Sequence, residues 1–180
     1  MLTLLALNGC DTGDSPASHV ESSSAGACVP GEPAIIAPVG GWRVSTAEED
    51  VFSEHRPAAP DCPDYAITIE GFSLEIDTGA CDYVTLVQPL PAISTCDTLG
   101  IDLAHLPLEA PEPAMAHFAV AIGDEIIWSR EIEIPNGQQV YQVRWSMEEA
   151  VPEGTLAAVH LHNHGANSWY IGDLRRTPAR

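Results

Sequence analysis

Apolar and polar residues alternate in short runs along most of this chain, and turn residues bound the runs. Phe72, Leu74 and Ile76 fall on one side of an extended segment, and Glu70-Gly71 separates it from residues 65–69, a spacing that predicts a hairpin. Residues 83–87 are β-branched and aromatic. Leu99, Ile101, Leu103 and His105 share one face of a further strand, which the prolines between 107 and 113 end. Ala116, Phe118, Val120 and Ile122 then alternate, and Gly123-Asp124 reads as a turn into residues 125–134. Pro135-Asn136-Gly137 is another turn, leading to residues 140–145 with Tyr141, Val143 and Trp145 on one face. Residues 156–162 and 168–174 close the chain. Residues 34–39 predict a first strand, confined to an edge because Pro38 has no amide hydrogen to donate. Residues 45–55 are acidic and predict one helical turn with Thr46 as N-cap, followed by a loop over 56–63. Roughly seven to nine short strands with regular turns predict an all-β fold, an antiparallel β-sandwich or jelly roll.

The N-terminal part reads differently. Residues 11–27 are small, polar and acidic with no apolar periodicity, so they bury too little surface to offset the entropy of ordering. They predict a disordered, serine-rich tether over 10–27, ahead of a sandwich domain over 28–180. Residues 1–9 then stand as a partial signal segment.

Charge narrows the partners. The formal net charge is −19, from 26 acidic and 7 basic side chains, and every basic residue is arginine. Such a surface repels phosphate backbones, which sets nucleic acid aside and favours neutral, cationic or metallic partners.

The cysteines place the chain. There are five: Cys10, Cys28, Cys62, Cys81 and Cys96. Leu7-Asn8-Gly9-Cys10 resembles a lipobox, the bacterial signal in which a lipid-modified cysteine follows a small residue, with leucine two positions before that. The resemblance implies an exported lipoprotein held on a membrane through Cys10. The apolar run before Cys10 is short and carries no basic residue, so a start upstream of Met1 is expected. With Cys10 lipidated, Cys28, Cys62, Cys81 and Cys96 remain as an even set, which fits two disulfides in an oxidising compartment. Three connectivities are open; Cys28 with Cys62 and Cys81 with Cys96 is the favoured one.

One constellation carries chemistry. In Val159-His160-Leu161-His162-Asn163-His164, strand alternation sends Val159 and Leu161 to one face and His160, His162 and His164 to the other. Imidazoles in that arrangement suit zinc or copper, with His105 and His117 from other strands completing a shell. A structural calcium on Asp77, Asp82 and Asp173 is a further expectation, since calcium takes oxygen ligands. The histidines fit equally a hydrogen-bonded polar cluster on a sheet face.

Three resemblances bear on function. Residues 160–167 resemble the His-x-His-x-x-Gly segment of copper–zinc superoxide dismutases, but Asp173 is the only acid that follows, so that activity does not carry over. Cupins also place His-x-His on a jelly-roll strand, but their following glutamate is missing here. Asn167-Ser168-Trp169-Tyr170-Ile171-Gly172-Asp173-Leu174 resembles the closing strand of galactose-binding-like jelly rolls, a group rich in carbohydrate-binding modules. That likeness implies a ligand-binding domain, with Asn167, Trp169 and Tyr170 as ligand residues and Trp42, Trp128 and Trp145 as further aromatics. No phosphate loop, Gly-x-Ser-x-Gly elbow or Cys–His nucleophile pair is present. A binding domain is therefore expected ahead of an enzyme, its partner a glycan or another envelope component. A metal-binding domain and a structural envelope protein without a small ligand are the alternatives.

Overall fold

β-Branched and aromatic residues in runs of alternating polarity pair into sheets when one face of each run can be buried. The computed structural model, which describes residues 31–177, contains twelve strands on this basis. They are β1 (Ala34–Ala37), β2 (Arg43–Val44), β3 (Ile67–Glu70), β4 (Ser73–Asp77), β5 (Tyr83–Pro89) and β6 (Thr98–His105), then β7 (Ala114–Ile122), β8 (Glu125–Ile134), β9 (Gln139–Ser146), β10 (Leu156–Asn163), β11 (Ser168–Ile171) and β12 (Leu174–Thr177). Every pairing between them is antiparallel. Cys10, Cys28, the tether and the signal segment lie outside the described residues.

The strands form two sheets. One has seven strands in the order β1-β12-β6-β11-β4-β3, with β9 along the other side of β6; the second runs β2-β5-β10-β7-β8. Between them lies the main core, including Leu74, Ile76, Leu86, Leu99, Ile101, Leu103, Phe118, Val159, Leu161, Trp169 and Ile171. The expected alternation is therefore observed, and the chain is an antiparallel β-sandwich. The turn glycines Gly71 and Gly123 have φ of 60° and 57°, the left-handed region that glycine enters without steric cost.

Three expectations are corrected. The closing segment is two strands, since Gly172-Asp173 breaks it. Residues 45–55 form no α-helix: they run as an irregular strap ending in a 3-10 turn at Ser53–His55, and Glu49 reaches back to accept the Thr46 N–H at 3.0 Å. The favoured cysteine pairing is also overturned. Cys62 is bonded to Cys81, which rules out both Cys28–Cys62 and Cys81–Cys96. Cys81 is buried at the start of the strand-5 segment, so the bond fastens the proline loop to the sheet. Cys96 is disulfide-bonded as well.

Cys62 and Cys81 are 19 residues apart, and closing a loop of that size stabilises by about 3 kcal/mol in the chain-entropy account. A Cys62→Ser, Cys81→Ser double variant is expected to lose about that much, read as a lower urea midpoint, with a steeper slope because the unfolded chain without its cross-link exposes more surface.

Candidate functional site

The outer faces of the two sheets differ in chemistry. On the five-stranded sheet, register aligns Tyr83, His162, His117 and Glu131 in one row across β5, β10, β7 and β8, and Thr85, His160, Ala119 and Ser129 in the next. Beyond them the outward residues are small: Val87, Ala158 and Ala121 leave a trough that Phe52 of the strap fills, forming a second, minor apolar cluster. The strap is riveted by Asp50. Its carboxylate is wholly buried and accepts from Tyr83 Oη at 2.6 Å, Thr85 Oγ1 at 2.8 Å, Arg56 Nη1 at 2.8 Å and the Phe52 N–H at 3.0 Å. Burial alone pushes this carboxyl up, but the hydrogen bonds from Tyr83, Thr85 and Arg56 outweigh it and hold it below the usual carboxylate range. Burial, followed by the Asp50 hydrogen bond, raises the Tyr83 phenol.

That geometry fixes the state of His160. Thr85 has one hydroxyl proton, and it goes to Asp50, an ionised acceptor. The contact between Thr85 Oγ1 and His160 Nδ1 at 2.9 Å must then be donated by the imidazole. His160 Nδ1 therefore carries the hydrogen and Nε2 presents a bare lone pair. His160 is fully buried, stacked on Phe52 at 4.4 Å between ring centroids, and its Nε2 has no hydrogen-bond partner among the described residues. Desolvation, reinforced by the neighbouring histidines, pushes its pKa down to about 3. His117 bonds Ser129 Oγ through Nε2 at 2.8 Å, while its buried Nδ1 has no partner among the described residues. His55 of the strap stacks on His117 at 4.5 Å.

The predicted histidines are thus only partly brought together. His117, His160 and His162 share a face, and His55, which the sequence reading missed, joins them from the strap. His164 lies past the end of β10, exposed, its ring 4.6 Å from that of His162. His105 belongs to the other sheet. It is buried beside Trp169 and bonded to Leu106 O and Tyr141 Oη. Among the described residues no three His, Cys, Asp or Glu side chains are arranged to hold a metal ion. The expected calcium acids are spent locally: Asp77 accepts the Gly79 N–H, Asp82 the Asp61 N–H, and Asp173 the Val39 N–H.

The outer face of the seven-stranded sheet carries a groove. Register places Glu75, Tyr170, Ala104 and Val140 in one row across β4, β11, β6 and β9. The small Ala104 between Tyr170 and Val140 makes a floor. Two adjoining depressions of about 230 Å³ each share Ala104, Val140 and Tyr170. One continues to Leu106, Gln138 and Gln139, the other to Phe72, Ser73, Asp102, Gly172 and Arg175. Phe72, at the β3–β4 turn, is 90% exposed, and Val140 is 70% exposed. Asp102 sits between two arginines, 2.8 Å from Arg144 and 3.7 Å from Arg175, and Arg175 also meets Asp173 at 3.3 Å, so this end is polar with its two acids and two arginines balanced.

Of the three predicted ligand residues, only Tyr170 lines this groove. Trp169 is 0% exposed and packs against Phe118 at 4.9 Å; neighbours on a strand face opposite ways, so both cannot meet the same ligand. Asn167 shapes a turn: φ is 141°, and its amide bonds Pro107 O and the Ser168 N–H. Trp42 is buried, and Trp128 and Trp145 are partly buried against the core.

No protein-family model matches the chain, and no curated protein does. Solved structures do overlap it. The carbohydrate-binding module TmCBM27, described for specific mannan recognition, is 13% identical over 82% of this chain and 96% of its own, with a TM-score of 0.49. The N-terminal cellulose-binding domain of β-1,4-glucanase C from Cellulomonas fimi is 11% identical over 82% and 95%, with a TM-score of 0.45. The K3 cleaved adhesin domain of Lys-gingipain from Porphyromonas gingivalis w83 is 10% identical over 81% and 99%, with a TM-score of 0.47. Overlaps of this size carry no argument about what this chain binds.

Proposed function

We propose that this protein is a glycan-binding module, without catalytic activity of its own, that holds a neutral saccharide in the groove over β11, β6 and β9, and that a lipid on Cys10 carries it on the cell envelope. The groove supports the first part: an aromatic ring and an aliphatic side chain flank a small-residue floor, with hydrogen-bonding groups at both ends. The apolar faces of sugar rings pack on such surfaces, and the planar Asp102, Arg175 and Gln139 groups that line it suit pairs of hydroxyls. The balanced cluster of Asp102 and Asp173 with Arg144 and Arg175 and the net charge of −19 favour a neutral ligand over a polyanion. The lipobox-like residues 7–10 support the second part, and intact-mass measurement of membrane-extracted protein tests it: an unmodified Cys10 thiol removes the anchor.

Affinity electrophoresis tests the groove. Retardation is expected in gels containing soluble neutral polysaccharides and not in gels containing a uronate polymer. Tyr170→Ala is expected to weaken binding by about tenfold or more, as truncation of a central aromatic contact does, with the melting temperature little changed because Tyr170 is only half buried. Retention on no polysaccharide, or undiminished retention of both Tyr170→Ala and Phe72→Ala, overturns the reading.

A further inference from the structure

On the opposite side of the sandwich, the strap over residues 45–56 rests on imidazoles. Phe52 lies flat on His160 and His55 lies flat on His117, with interplanar angles of 16° and 14°. The sheet meets the strap with two buried imidazole nitrogens, His160 Nε2 and His117 Nδ1, that have no hydrogen-bond partner among the described residues. Neither can take a proton and remain satisfied while the strap is down. A proton on Nε2 of His160 would be a buried N–H with no acceptor, costly in the way any unmatched buried donor is. Protons on both His55 and His117 would set two cations face to face with 4.5 Å between ring centroids, where like charges repel.

We propose that the strap over residues 45–56 is an acid-released cover: protons taken up by the imidazoles beneath it, His117 and His160, lift it from the sheet and uncover the outer face of β5, β10 and β7. This inference concerns the face opposite the glycan groove and stands apart from the proposed ligand.

The surrounding charges decide the direction. On the strap stand Glu48, Glu49, Asp50, Glu54, His55 and Arg56. From the β5 side come Asp82 and Tyr83, from β10 His162 with His164 beyond it, from β7 His117, and from β8 Glu131. Asp50, Glu131 and Asp82 favour protonation of His160, His117 and His162 respectively, but burial outweighs them and the other histidines add to it, so all three are held below the ordinary histidine value. A depressed value in the closed state means that closure is fully supported above the ordinary value, about 6.5, and loses support as pH falls from there toward the closed-state values. For His160 that lower limit is about 3. Lifting the strap lets water reach the rings and accept their protons' hydrogen bonds. The cover is therefore shut near neutrality and loosened in mild acid.

Hydrogen exchange followed by mass spectrometry on the full chain tests this through three reporters. The Phe52, His55 and Arg56 amides are bonded only while the strap is folded onto itself, to Asp50 Oδ1, Phe52 O and Ser53 O. Protection is compared at about pH 7.5 and about pH 5, corrected for intrinsic exchange, across the range in which histidine titrates. At the lower pH these amides are expected to lose about tenfold or more in protection while those of β6 and β9 keep theirs. His55→Phe, an exposed position where the ring stack survives without the charge, is expected to cut that loss at least threefold, and His117→Phe to do the same. Equal protection at the two pH values overturns the proposal. So does a loss spread evenly over both sheets, or one that neither variant reduces.

Discussion

Asp50→Ala is expected to lower the unfolding free energy by about 3–4 kcal/mol. The carboxylate is completely buried and accepts four hydrogen bonds. Its removal strands the Thr85 hydroxyl proton and the Phe52 N–H and leaves Tyr83 Oη only its longer bond to Phe52 O at 3.2 Å; a buried donor without an acceptor costs about 1–3 kcal/mol. Arg56 adds less, because its side chain is a quarter exposed and can turn to water. Tyr83→Phe removes one donor and leaves Asp50 three, so it should cost only about 1 kcal/mol. Urea unfolding of the two variants side by side checks both values, and near-equal losses would show that Asp50 does not organise the cluster. The same carboxylate has a pH signature. Its pKa in the folded protein lies below the ordinary range, so its contribution is complete above the unfolded value of about 3.9 and vanishes as pH falls through the depressed folded value. This loss lies at the acid end of, or beyond, the histidine window, so loosening of the strap should precede loss of the rivet.

Trp169→Ala is expected to cost about 3–5 kcal/mol, the range for emptying a large core site. Trp169 is fully buried, wedged between Phe118 and His105 at 4.9 and 4.7 Å, and it lies where the two sheets meet. Trp169→Phe keeps most of the volume and should lose no more than about half as much. Both follow from denaturant titration by circular dichroism. A loss under about 1 kcal/mol in Trp169→Ala would mean that the sheets close over the gap and that Trp169 does not hold them apart. Any weakening of saccharide binding in Trp169→Ala should scale with the fraction unfolded, unlike that in Tyr170→Ala.

The contrast between these two adjacent aromatics marks what was legible in the sequence. Alternation assigned faces well. Leu99, Ile101, Leu103 and His105 are all buried on β6, and the Gly123-Asp124 turn leads into β8 at Glu125. A period of two states which residues share a side but not which side is the core, and the resemblance that offers Trp169 and Tyr170 together as ligand residues does not separate their faces. Nor does alternation say what covers the outer side. His160 does point away from the main core, as expected, yet it is buried, because the strap lies over it. The strap's sequence, rich in Glu48, Glu49, Asp50 and Glu54, reads as solvated surface. Phe52 is the one aromatic among few apolar residues there, and the partners Ala119, Ala121 and Ala158 that bury it come from distant strands. The Cys62–Cys81 bond was hidden for a related reason: pairing depends on which loops the sheet brings side by side, and spacing along the chain does not report that.

The same disulfide bears on the strap. Residues 45–56 are held at one end by β2, paired to β5 at Arg43 and Val44, and a few residues past the other end by Cys62, bonded to Cys81. Clamped at both ends, the segment can rise but not wander. Its effective concentration at the sheet stays high, of order millimolar by the reckoning for short linkers, and its return is a first-order step with little loop entropy to overcome. Reduction of the bond would lengthen the free span on one side, so the reduced protein should reseal more slowly than the oxidised one after the same return to neutral pH.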